Sequence, residues 1–207
     1  MNQKNSLGLD ICFKDEDNPF KLFEEWFDLA KEKEPNDPNA LALATSDKEG
    51  NPTVRMVLLK GFSDKGFVFY TNLNSPKSKA LFANPKASMC FHWKSLRRQV
   101  RAIGKVEEVS TKEADDYFNS RPYKNRIGAW ASSQSAILDQ RETFTNKIKE
   151  FEKKFPDQNN VPRPPHWSGW RLLPEEIEFW LDGEGRIHER LNYRKKNGSW
   201  EKELLYP

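Results

Sequence analysis

Residues 177–190 read I-E-F-W-L-D-G-E-G-R-I-H-E-R, two short β-prone runs on either side of a glycine-rich turn. The spacing predicts one strand over 176–182 and a second over 187–193. If the strand begins at 186, Arg186, His188 and Arg190 project from one face, because side chains alternate with a period of two. Two guanidiniums and an imidazole side by side repel one another and tolerate burial poorly. An anionic, planar ligand such as a phosphorylated ring relieves that repulsion and uses the fork of arginine. A solvated edge strand with its charges turned to water accounts for the spacing equally well.

Upstream, short strands recur. Leu41–Thr45 and Thr53–Leu59 flank a turn at 47–52 and read as a hairpin, and Gly66–Thr71 follows the next turn. Ala87–Trp93 and Gln99–Val109 form a longer predicted hairpin, and the chain closes with strands over 168–173, 176–182, 187–193 and 199–205. Helices are predicted at 19–33, where Asn18-Pro19 supplies the cap and first residue, and at 75–82. Ser110 and Glu113 form a capping box that starts a third helix, expected to run to Phe118. A charged stretch over 140–155 reads as a surface helix. Turns every 8–12 residues argue for a mainly β fold, an antiparallel barrel of Greek-key type with peripheral helices. We expect residues 1–17 to be a flexible lead and 18–207 a single domain.

Composition narrows the function. In 207 residues, 34 Lys and Arg against 31 Asp and Glu leave a net charge of +3, too small for bulk nucleic-acid binding. Any strong anion site is therefore local. No apolar run spans a bilayer, and the opening M-N-Q-K-N-S-L-G lacks the apolar core of a signal peptide, so a cytoplasmic protein is expected. Two widely separated cysteines and three scattered histidines predict neither a disulfide framework nor a zinc site.

Three further segments carry cations at element ends. Arg55 and Lys60 bracket an apolar strand and point to opposite faces, able to serve two different anions or simply to reach water. Residues 70–77, Y-T-N-L-N-S-P-K, pass from strand into helix start, where free backbone N–H groups with Thr71, Ser75 and Lys77 make a phosphate cradle. Tyr117 and Arg121 share a helical face if the third helix continues. Motifs for dinucleotide and P-loop sites are missing.

Together these segments resemble the pyridoxine (pyridoxamine) 5′-phosphate oxidase family. The matching blocks are R-M-V-L-L-K, F-V-F-Y-T-N-L-N-S-P-K-S-K, R-R-Q-V-R-A-I-G, Y-F-N-S-R-P, I-G-A-W-A-S-S-Q-S and I-E-F-W-L-D-G-E-G-R-I-H-E-R, in the family's order. The resemblance implies a split β-barrel homodimer with FMN at the subunit interface, oxidising pyridoxine or pyridoxamine 5′-phosphate to pyridoxal 5′-phosphate with O2 and releasing H2O2. By position, it implies that Arg55 and Lys77 hold the FMN phosphate and that Met56, Val57, Leu58, Leu59, Lys60, Tyr70, Thr71 and Gln99 line the flavin. Gln134, Ser135, Trp180 and Arg190 complete that site, in part from the other subunit. Lys60, Tyr117, Arg121 and Asn125 grip the substrate phosphate, while Arg186, Ile187 and His188 position its ring, with Arg186 and His188 the catalytic pair.

Three departures from the family pattern stand out. Pro76 replaces a common arginine, Asn125 replaces a small hydroxyl residue, and residues 1–17 lack the family's Arg- and Tyr-bearing segment. The rival expectations are a flavin reductase or deazaflavin-dependent enzyme on the same barrel, a non-catalytic carrier of FMN or pyridoxal phosphate, and an RNA-binding barrel.

Overall fold

Helix α1 (Pro19–Lys33) begins where Asn18 accepts a hydrogen bond from the Phe20 N–H, and proline occupies its first turn. Its apolar stripe of Phe20, Leu22, Phe23, Trp26, Phe27 and Ala30 is buried against the sheet. Phe23 is fully buried, with ring centroids 4.9 Å from Phe62 and Phe67 and 5.1 Å from Phe91. Each such ring contributes about 1.5–3 kcal/mol by leaving water, so this aromatic cluster ties helix to barrel.

The computed structural model describes residues 3–207. Nine strands build one antiparallel sheet: β1 (Ala40–Ser46), β2 (Pro52–Leu58), β3 (Gly61–Ser63), β4 (Gly66–Asn72), β5 (Lys86–Trp93), β6 (Arg98–Glu108), β7 (Trp167–Leu181), β8 (Glu189–Lys196) and β9 (Ser199–Leu204). The order is β2-β1-β5-β6-β7-β4-β3, with β8 branching from β7 and β9 beyond it. β7 pairs with β6 on one edge and is shared on the other: Trp167–Leu172 with β4, Glu176–Leu181 with β8. That division splits the barrel. Four more α-helices flank the sheet among the described residues, α2 (Pro76–Ala83), α3 (Thr111–Ser120), α4 (Tyr123–Ala131) and α5 (Arg141–Lys154). No residue of α5 is buried, as its charged sequence predicts.

The structure corrects several expectations. The runs at 168–173 and 176–182 form one strand. Proline lacks the N–H of a regular ladder, and the sheet accommodates Pro174 at a register shift between Ile103 and Gly104. A Cβ on Gly104 would sit 2.0 Å from the Leu173 oxygen, so this close approach needs glycine. Residues 183–188 are not strand. Glu184–Arg186 form a single 3₁₀ turn, Gly185 and Arg186 have φ of 65° and 64°, and β8 starts only at Glu189. Arg186 therefore does not share a strand face with His188 and Arg190. Described residues of the segment expected as a flexible lead make packed contacts: Phe13 is fully buried against Trp26, the Trp26 Nε1–H donates to the Cys12 carbonyl, and the Tyr193 hydroxyl donates to that of Glu16.

Candidate functional site

A cavity of about 690 Å³ opens where β2, β4, β7 and the helices α2, α3, α4 and α5 meet. β2 supplies Arg55, Met56, Val57 and Leu58, with Lys60 just beyond; β4 supplies Tyr70, Thr71 and Asn72; α2 supplies Lys77. Tyr117 and Arg121 come from the end of α3, Asn125 from α4, and Gln134 and Ser135 from the loop that follows. The cradle predicted at residues 70–77 thus closes against a segment about 60 residues downstream in the chain. Lys77 Nζ donates to Gln134 Oε1 at 2.8 Å, Thr71 Oγ1 at 3.0 Å and Ser75 Oγ at 3.3 Å.

The electrostatics are those of an anion site. Burial, and then the neighbouring Arg55 guanidinium, hold the Lys77 ammonium down to about 8. Arg55 also lies below its ordinary value through burial, although its Nη1 donates to the Leu43 carbonyl and Thr45 Oγ1. Among the described residues no carboxylate bears on either cation. Two desolvated cations without a counter-ion repel each other, and a bound phosphate supplies the missing charge.

A second cationic group forms on an aromatic wall. Tyr117 and Tyr70 stack with centroids 4.0 Å apart, and Tyr70 stacks on Trp167 at 5.3 Å. The Arg121 guanidinium lies 4.8 Å from the Trp167 ring centroid, and its Nη1 is buried without a hydrogen bond among the described residues. α3 starts on the predicted cap, Ser110 accepting from the Glu113 N–H, and stops at Ser120 because Pro122 disfavours helical geometry at Arg121. Arg121 is extended, yet both it and Tyr117 line the cavity. Burial pushes the Tyr70 phenol up to about 12, so it remains a hydrogen-bond donor at neutral pH.

The remaining expected residues lie elsewhere. Leu59, expected on the flavin, points into the core, 4% exposed, with its backbone N–H and carbonyl both engaging Asn39, and it does not line the cavity. Gln99, Trp180 and Arg190 face one another across β6, β7 and β8, and the Trp180 ring lies 4.6 Å from His188. None of these, nor Arg186 or Ile187, lines the cavity. Arg190 is held by Glu178 Oε1 at 2.8 Å and the Tyr206 carbonyl at 2.9 Å. One chain therefore carries two separated groups of the expected residues. Sequence reasoning missed Trp167, Asn72 and Lys124 in the cavity wall. Trp167 gave no local signal, since it reaches the wall through its register opposite Asn72.

Comparison with known proteins bears on both groups. Residues 29–155 match the family described as pyridoxamine 5′-phosphate oxidase, and residues 167–207 match the pyridoxine 5′-phosphate oxidase C-terminal dimerisation region. The chain is 62% identical over 208 residues to the pyridoxine/pyridoxamine 5′-phosphate oxidase of Pelagibacter ubique, covering 100% of both chains. It is 53% identical to the protein of the same name from Rhizobium etli, over 94% of this chain and 95% of that one. Among solved structures, PhzG from Burkholderia lata, in complex with tetrahydrophenazine-1-carboxylic acid, aligns with a TM-score of 0.89 at 28% identity, covering 95% of this chain and 96% of that one. A pyridoxamine 5′-phosphate oxidase-related, FMN-binding protein from Nostoc punctiforme shares the fold, with a TM-score of 0.74 at 19% identity over 92% and 98% of the two chains.

Proposed function

This chain belongs to the pyridoxamine 5′-phosphate oxidase family, and from that premise we propose that its cavity is one half of an FMN site that oxidises vitamin B6 phosphates. The reaction converts pyridoxine 5′-phosphate or pyridoxamine 5′-phosphate to pyridoxal 5′-phosphate, with O2 as acceptor. The observation that carries the reading is the pair of anion-seeking groups in one cavity, Arg55 with Lys77 and Arg121 with Tyr117.

FMN fits the first group. Arg55 and Lys77 hold its phosphate, Thr71 and Gln134 orient that lysine, and Met56, Val57, Leu58, Tyr70 and Ser135 line the flavin. The chemistry supplied by bound FMN is uptake of two electrons from the substrate carbon and their release to O2, giving H2O2. Lys60, Tyr117, Arg121 and Asn125 hold the substrate phosphate, and the buried Nη1 of Arg121 gains the acceptor it lacks. A phosphate gripped away from the reacting carbon supplies binding energy for orientation.

The second group completes the site from a second copy. Val54 and Met56 leave an apolar strip of β2 exposed at 68% and 65%, suited to a homodimer contact, and the dimerisation region contains Trp180, Arg186, His188 and Arg190. In this arrangement Gln99, Trp180 and Arg190 close over the flavin, and Arg186 and His188 set the pyridine ring against it. Among the described residues no helix is long and apolar enough to cross a membrane.

The test is a visible spectrum of the purified protein followed by anaerobic addition of pyridoxamine 5′-phosphate. A yellow species that bleaches, then recovers in air with H2O2 release, is expected. A colourless protein, or a flavin that ignores every B6 phosphate, overturns the reading.

A further inference from the structure

Resting on that reading, we propose that Asn72 is a positioning residue of the phosphate cradle, whose carboxamide clasps the loop after α4 and so fixes where Gln134 meets Lys77. Asn72 ends β4, opposite Trp167, and stands in the cavity wall with only 5% of its surface exposed. Its backbone belongs to the helix side of the cradle: the carbonyl accepts from the Ser75 N–H and from Ser78 Oγ, each at 3.2 Å. Its side chain bridges the two sides. Oδ1 accepts from the Asn74 N–H at 2.8 Å, closing the turn into α2, and Nδ2 donates to the Ser132 carbonyl at 3.2 Å. Reversing the amide would set donor against donor at Asn74 and acceptor against acceptor at Ser132, so the two contacts hold in one orientation only.

Ser132 caps the end of α4, its N–H donating to the Gly128 carbonyl. Gln134 follows two residues later, in a turn closed by the Ala136 N–H on the Ser133 carbonyl. Ser135 in that turn has a left-handed φ of 67°, uncommon for a residue with a Cβ and kept only where neighbouring contacts hold it. Among the described residues, the hydrogen bonds joining residues 132–136 to β4 and α2 are the Asn72 clasp and the Thr71 and Lys77 contacts to Gln134 Oε1. Without the clasp the turn is tied to the cradle by Gln134 alone, and the oxygen that orients Lys77 toward a phosphate loses its fixed place.

Asn72→Ser and Asn72→Thr keep an oxygen able to accept from the Asn74 N–H but are too short to reach Ser132. The readout is the ratio of FMN to riboflavin affinity, from fluorescence quenching on titration with cofactor-free protein, because the two flavins differ only in the phosphate. Either variant is expected to lower that ratio roughly 2- to 13-fold, the equivalent of one neutral hydrogen bond, with the riboflavin Kd unchanged. On a Gln134→Ala background the same substitutions are expected to cost nothing further. That background separates positioning from contact, since an Nδ2 hydrogen that itself met the phosphate would be missed equally in both. Equal losses in both backgrounds, a riboflavin Kd that weakens in step with that of FMN, or an unchanged ratio overturns the assignment. Wild type that does not prefer FMN overturns the cofactor reading and this assignment with it. Failure of the assignment alone leaves the wild type yellow, selective for FMN and bleached by pyridoxamine 5′-phosphate.

Discussion

Lys77 Nζ and Gln134 Oε1 meet at 2.8 Å across 57 residues of chain. The contact pins the first turn of α2 to the loop after α4, and Thr71 Oγ1 donates to the same Gln134 oxygen at 3.1 Å. An ammonium satisfied only by neutral oxygens, with Arg55 beside it, is built to receive an anion.

Lys77→Ala is expected to weaken FMN binding by roughly 10- to 150-fold, from the loss of about 1.5–3 kcal/mol for a charged hydrogen bond. Fluorescence quenching of FMN on titration with cofactor-free protein measures it. An unchanged Kd would remove Lys77 from the phosphate cradle.

The same lysine costs the cofactor-free protein stability. Its folded value of about 8 lies below the ordinary 10.5, so the folded state binds fewer protons between those pH values and stability rises with pH there. Lys77→Met is therefore expected to raise the Tm of the cofactor-free protein most below pH 8, the gain fading toward pH 10.5. With saturating FMN phosphate the sign reverses. A pH-independent difference would show that burial does not penalise the charge.

Arg186→Leu is expected to depress kcat/KM far more than it weakens FMN binding, because Arg186 stands outside the cavity proposed to hold the cofactor phosphate. Steady-state kinetics and a flavin titration on one preparation give both values. Equal losses would assign Arg186 to the cofactor.

Glu178 is 2% exposed and paired with both Arg101 and Arg190. Burial alone would raise its carboxyl, but hydrogen bonds from Arg190 and Arg101 outweigh it and hold the group below its ordinary range. Glu178→Ala is expected to cost about 3 kcal/mol, the low end for breaking a buried pair, because the Arg101 side chain is 41% exposed and rehydrates. With a depressed folded value, this contribution is present above pH 4.5 and lost as pH falls through the folded value. Urea denaturation at neutral and acid pH measures both effects.

Much of this arrangement is legible in the sequence because its causes are local. Asn18 and Ser110 cap the helices they were expected to cap, and the alternation around Arg55 forms the expected strand. Other features escaped for equally physical reasons. Pro174 signals a break, yet β7 runs through it because a register shift against β6 absorbs the lost donor. The 183–188 segment has strand-like alternation, but a Cβ on Gly183 would lie 1.9 Å from the Ile187 oxygen, and a fold-back that tight is a turn. Helix α4 was hidden behind Pro122, which reads as a terminator of α3 and also stands as the residue before the next helix.

By itself the amino-acid order determined the mainly β class, the capped helices and the residue types able to hold two phosphates, since propensity, capping and charge act over a few neighbours. Tertiary structure alone decided that Gln134 closes on Lys77, that Trp167 backs Arg121, and that Arg186 leaves the strand. Those outcomes depend on strand register and loop closure, where the cost of ordering distant segments is met by burial that no short window of sequence contains.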